Sequence, residues 1–171
     1  MRLNKGLISA LLAPAALATT NADTVFSGFE NLHKRILSTQ DCIKSFDGGV
    51  VQSLSCGFEL YNVLTASGSA RKDLADLDSV PPDQVQAYLN HYHGIRLAVS
   101  KTLETASSRI DNIDSAGLKI FAQVLVRHFG GEREVFETLT KSKLPASSHS
   151  EIAGPIDSLK DEFENAFAVF V

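Results

Sequence analysis

Apolar side chains return every three or four residues from Val25 onward. Val25, Phe29, Leu32, Ile36, Ile43 and Phe46 keep this rhythm, missing one beat at Thr39. Such spacing lays a single apolar stripe along an α-helix of about six turns. Asp47-Gly48-Gly49 then interrupts the pattern. Gly48 can take the left-handed conformation that closes a helix, so the chain is expected to turn back there. Val50, Val51, Leu54 and Phe58 open the returning arm. This hairpin carries too much apolar surface to stand alone, so later helices are expected to cover it.

The rest of the chain continues in helical periods. The second helix is expected from about Val50 to the small-residue patch at Ala66–Ala70, with an extension toward Leu77. It shows two stripes, Leu54-Phe58-Tyr61 and Cys56-Leu60-Val63-Leu64, which predicts a central place in a bundle. Ser79-Val80-Pro81-Pro82-Asp83 is a helix-start signal. The third helix follows Val85, Tyr88, Tyr92, Ile95, Val99, Leu103 and Ala106, with Ile110 as its outer limit. A fourth is expected after Asp114-Ser115, along Leu118, Phe121, Leu125, His128, Phe136 and Leu139. Gly130-Gly131 would be its soft point, at about 1 kcal/mol each relative to Ala. Leu144-Pro145 ends it, and Ser148-x-x-Glu151 reads as the capping box of a fifth. That last helix carries Ile152, Ile156, Leu159, Phe163, Phe167 and Phe170. No strand pattern competes, so the expected fold is an all-α, up-and-down bundle of about five helices.

Composition changes this picture at the N-terminus. Arg2 and Lys5 precede a mostly apolar run from Leu7 to Ala18. Ala16-Leu17-Ala18 and Thr20-Asn21-Ala22 then offer the small-x-small pattern of a cleavage site. Residues 1–22 therefore read as a secretory signal peptide and 23–171 as the folded domain. Cleavage removes both cations, taking the formal charge from −4 to −6, which does not favour nucleic acid or anionic headgroups. No later apolar run reaches the roughly 20 residues of a transmembrane segment.

The order of these features resembles a known family. A secretion signal precedes a helix ending in Phe46-Asp47-Gly48-Gly49. A small-residue-rich second helix, a Pro/Asp-capped third, a long fourth and the link Lys141-Ser142-Lys143-Leu144-Pro145 follow, and the last helix ends Phe163-x-x-x-Phe167-x-x-Phe170. This is similar to the fungal hydrophobic surface binding protein A and cell-wall galactomannoprotein family. The resemblance spans about residues 23–171. It implies a secreted helical bundle that adsorbs to hydrophobic surfaces and, in some members, holds fatty acids or related lipids in a central tunnel. The chain stops without a Ser/Thr-rich stalk, so a freely secreted form is expected over a wall-anchored one.

Candidate chemistry is sparse. Cys42 and Cys56 lie almost symmetrically about the turn, so a disulfide is expected in an oxidising compartment; two buried free thiols are the alternative. His91 and His93 stand two apart on a helix and point away from one another, so they do not share a metal. No nucleophile elbow, phosphate loop or His-Glu-x-x-His motif is present, and no enzyme or cofactor is expected. The apolar interior remains as the functional candidate. Helices of about 22 residues are roughly 33 Å long, longer than a stretched acyl chain. Small residues in helix two (Ser53, Ser55, Gly57, Ala66, Gly68) would leave room for one. The expected lipid-binding residues are Phe29, Ile36, Phe58, Leu89, Phe121, Leu125 and Phe163, with Tyr61, Tyr92 or His128 at the head group. Adsorption to hydrophobic solids, by opening at Gly130-Gly131, is the alternative function, and a non-catalytic wall antigen the third.

Overall fold

The computed structural model describes residues 20–171; most of the expected signal peptide lies outside them. Five long helices and one short one follow in order: α1 (Ala22–Lys44), α2 (Val50–Asp76), α3 (Val85–Ser108), α4 (Ile110–Ser115), α5 (Lys119–Lys143) and α6 (His149–Val169). No strand occurs among the described residues. Single 3₁₀ turns at Pro82–Gln84 and Ala146–Ser148 lead into α3 and α6.

The helix ends differ from expectation for local reasons. Asn21, not Asp23 or Thr24, caps α1: its side chain accepts from the Thr24 amide at 2.9 Å. Gly48 has φ +89° and ends the first arm, as a tight reversal requires. Ile110 and Ile113 belong to the separate short helix α4, because Gly117 (φ +70°) breaks the chain again before α5. Ser148 stands at the start of α6, but its side chain makes no capping bond. Gly130 and Gly131 sit within an unbroken α5. A Cβ on Gly130 would come 3.7 Å from the Phe163 ring, an ordinary contact, and one on Gly131 would meet nothing within 4 Å.

The long helices form a ring. α1 packs on α2 and α3, α3 on α6, α6 on α5, and α5 closes against α2. No helix is central, which corrects the expectation for α2. Its Leu54-Phe58-Tyr61 stripe faces outward, with Leu54 72%, Phe58 62% and Tyr61 63% exposed. Cys56, Val63, Ala66, Ala70 and Leu74 face inward instead.

Two hydrophobic clusters fill the ring. The one at the α1 N-terminal end is solid. Phe29 packs edge-on against Tyr88 at 5.4 Å and near Phe136 at 6.2 Å, with Leu74, Leu89 and Ile152 almost wholly buried. Burying each such side chain contributes about 1.5–3 kcal/mol. Ala66 and Ala70 of α2 serve this close packing, while Ser53 and Gly57 border open space. A Cβ on Gly28 would stand 3.5 Å from the Ala70 backbone, so α1 and α2 meet there nearly backbone to backbone. The second cluster, at the opposite end, gathers Phe46, Cys56, Ile113, Val126, Leu159, Phe163 and Phe170. Cys42 and Cys56 are bonded within it, Cα–Cα 5.5 Å, tying the end of α1 to the start of α2.

Candidate functional site

Between these clusters the ring encloses a cavity of about 270 Å³ that draws lining from α1 through α6. Along α1 the lining runs from Phe29 to Ile43, roughly 21 Å at about 1.5 Å per residue. Apolar cavities of about 150 Å³ already stay dry and accept small hydrocarbons. Where its walls are apolar, a void of this size favours hydrocarbon over water.

The walls are apolar over most of this length. Leu32 and Ile36 on α1, Leu60 and Val63 on α2, Ile95, Val99 and Leu103 on α3, Leu125 and Phe129 on α5, and Leu159 and Phe163 on α6 all contribute. The cavity nears the surface at the seam of α2 with α5. Ser53 and Gly57 border it from α2, and Leu118, which precedes α5, and Phe121 in its first turn border it opposite, with Phe121 52% exposed. A Cβ on Gly57 would meet nothing within 4 Å. This seam is the mouth.

The inner end is polar. Arg133 Nη1 donates to both oxygens of Glu137, at 3.1 and 2.9 Å. The two side chains are only 9% and 10% exposed. Burial holds the Glu137 carboxyl above its ordinary range even with Arg133 beside it. Tyr92 lies alongside with its hydroxyl hidden and unpartnered. Burial raises its pKa first, and the Glu137 charge adds to this. Glu132 accepts from Ser67 at 3.4 Å and pairs with Arg71 at 3.2 Å. Arg96 donates to the Pro155 carbonyl and to Ser158, and faces Glu162 at 3.9 Å. Beneath this layer Tyr88 and Thr140 share a buried hydrogen bond of 2.8 Å.

The expected site residues divide. Phe29, Ile36, Tyr92, Phe121, Leu125 and Phe163 line the cavity. Phe58 and Tyr61 do not; they project from the outer face of α2, because the other α2 stripe packs inward. Leu89 is 1% exposed but packed into the solid cluster. His128 is exposed, edge-on to the Phe129 ring, and does not line the cavity. The Arg133–Glu137 floor was missed. The inward face of α5 carries Val126, Phe129, Arg133, Glu137 and Thr140. A search for apolar residues steps over the charged pair and drifts to His128. The usable signal was the three-to-four spacing itself, which runs straight through Arg133 and Glu137. Among the described residues no group of His, Cys, Asp or Glu is arranged to hold a metal, and no helix is long and apolar enough to cross a membrane.

No family model and no curated protein matches the sequence. Solved structures match the fold. The protein AfMP4p in complex with palmitic acid superposes with a TM-score of 0.84 at 16% identity, over 88% of this chain and 100% of that one. Ligand-binding domain 1 of the Penicillium marneffei MP1 protein, complexed with arachidonic acids, gives 0.80 at 13% identity over 88% and 99%. Domain 2 of the same protein, complexed with multiple arachidonic acids, gives 0.80 at 9% identity over 88% and 96%. At these identities what is shared is the fold: a helical bundle that in each of these proteins was solved with a fatty acid bound.

Proposed function

We propose that this chain is a secreted, non-catalytic carrier that holds a fatty acid or related lipid inside the helical ring. The observation that carries this reading is the long apolar cavity with a mouth at one seam and a polar floor. The fatty acids bound by AfMP4p and both MP1 domains support it. So does the sequence resemblance to the hydrophobic surface binding and galactomannoprotein family. Each buried methylene contributes about 0.8 kcal/mol, so an acyl chain laid along the cavity suffices for tight binding. Secretion is proposed from the basic and apolar N-terminal run. Processing after Ala18 fits better than after Ala22, because Asn21 caps α1 and Ala22 is buried.

Native mass spectrometry of protein recovered from the medium of an expressing host reads both points. The expected mass begins at residue 19, with a lipid adduct that delipidation removes and added hexadecanoic acid restores. No adduct and no uptake would remove the carrier reading. Gly57→Leu then tests the mouth. Its side chain fits the space beside Gly57 and excludes about two methylenes of ligand, weakening fatty acid binding roughly tenfold with helicity kept.

A second reading, adsorption to hydrophobic solids, is favoured by one observation. Val50, Val51, Leu54, Phe58 and Tyr61 on α2 and Ile120, Phe121 and Val124 on α5 are all more than half exposed. Such an outward apolar face needs no opening at Gly130-Gly131. Leu54→Lys/Phe58→Lys is expected to leave fatty acid uptake intact and to reduce depletion of the protein by wax particles. Equal depletion of both proteins would exclude this face as the adhesive one.

A further inference from the structure

The cavity ends on hydrogen-bond donors with nothing to donate to. The Tyr92 hydroxyl and the Arg133 Nε–H are both hidden from solvent without a partner, and both residues line the cavity. An unmade buried hydrogen bond costs about 1–3 kcal/mol. Thr39 Oγ1 on α1 is a third unpartnered group of the lining, but Tyr92 and Arg133 are the two beside Glu137, and together they mark a place built to meet an acceptor. The neighbouring carboxylates do not take these two donors: both oxygens of Glu137 face Arg133 Nη1, and Glu132 Oε2 faces Arg71 and Ser67.

Charge decides what kind of acceptor fits. The charged residues of the lining are Arg96, Glu132, Arg133 and Glu137, two of each sign. Both cations already face a carboxylate, Arg133 that of Glu137 and Arg96 that of Glu162. An additional anion at the floor would lie beside Glu137 with no cation left for it. Burying an unpaired charge costs far more than burying a hydroxyl that finds its partners.

Resting on the carrier reading above, we propose that the floor is a binding site for an uncharged oxygen at the far end of the lipid. The preferred ligand class is then a long-chain acid bearing a terminal hydroxyl. It lies tail-first, with its carboxylate at the α2–α5 mouth, its hydroxyl oxygen accepting from Tyr92 and Arg133, and its own O–H donating to a Glu137 carboxyl oxygen, which has lone pairs to spare. A plain fatty acid fills the same channel and leaves both donors unmet.

The sign of the preference is diagnostic. In a wholly apolar pocket a terminal hydroxyl is a penalty of about 1–3 kcal/mol; at this floor it is a gain. Affinities of hexadecanoic acid and 16-hydroxyhexadecanoic acid are measured on the delipidated full chain, for the wild type and for Tyr92→Phe. The wild type is expected to prefer the hydroxy acid about tenfold, the worth of one to two hydrogen bonds. In Tyr92→Phe the ratio of the two affinities falls to about one or reverses. Equal affinities in the wild type, or a preference that survives Tyr92→Phe, would overturn the proposal while leaving the carrier reading in place. Failure of the wild type to take up either acid would remove that reading, and this one with it.

Discussion

Replacing Glu137 by Leu destabilises the fold by about 2–3 kcal/mol, because it takes from the buried Arg133 guanidinium its buried partner and leaves it only the solvent-exposed Glu134 at 3.2 Å. The partner matters more than the pair. Burial outweighs Arg133 in setting the state of the Glu137 carboxyl, which is held above its ordinary value of 4.5. A pair in that condition is not there chiefly for stability, since apolar residues of similar volume commonly serve as well or better. The double replacement Arg133→Met/Glu137→Leu is therefore expected to recover most of the loss. Urea unfolding of the two single variants and the double variant reads this as a coupling energy. A double variant as unstable as Glu137→Leu alone would show that the pair is a structural necessity. The sign with pH follows. The stability tied to the Glu137 proton is full below the unfolded value of 4.5, and it is lost as pH rises from there through the higher folded value. Glu137→Gln, which cannot ionise, is expected to flatten the stability curve over that window.

Removing the bridge, by Cys42→Ala/Cys56→Ala, is expected to cost about 3 kcal/mol. The bonded cysteines are 14 apart in sequence, and constraining a loop of roughly 15 residues in the unfolded chain is worth about that much. For a chain of this size it corresponds to a fall in Tm of roughly 6–12 °C, readable by circular dichroism with and without reductant. The consequence reaches the site. Cys56 lines the cavity one position before Gly57 at the mouth, and the bridge fixes the first turns of α2 against the end of α1. Its loss is expected to speed lipid exchange by stopped-flow fluorescence as well as lower Tm. A fall in Tm with unchanged exchange would place the mouth's rigidity in the α2–α5 packing instead.

Much of this architecture is legible from single residues. The α1 stripe from Val25 to Phe46 is read directly, because one apolar face on an otherwise polar helix has only one way to pack. The reversal at Gly48 is equally plain, since a positive φ there suits glycine almost alone. α2 is not legible in the same way. Apolar on two sides, it leaves open whether Cys56-Val63 or Leu54-Phe58-Tyr61 faces inward, and the choice waits on what packs against it. α5 misleads because its inward stripe contains Arg133 and Glu137, which hydrophobicity alone assigns to solvent.

The local pattern set the five long helices and their reversals, through periodicity and through glycine and proline at the breaks, but not the short α4 (Ile110–Ser115). It also placed the two cysteines where a hairpin brings them level. Packing across the bundle settled that five helices close into a ring around a channel, that Phe58 and Tyr61 face out, and that a charged pair faces in. Those outcomes depend on which faces find partners across the bundle, and a chain read one residue after another carries no record of who stands opposite.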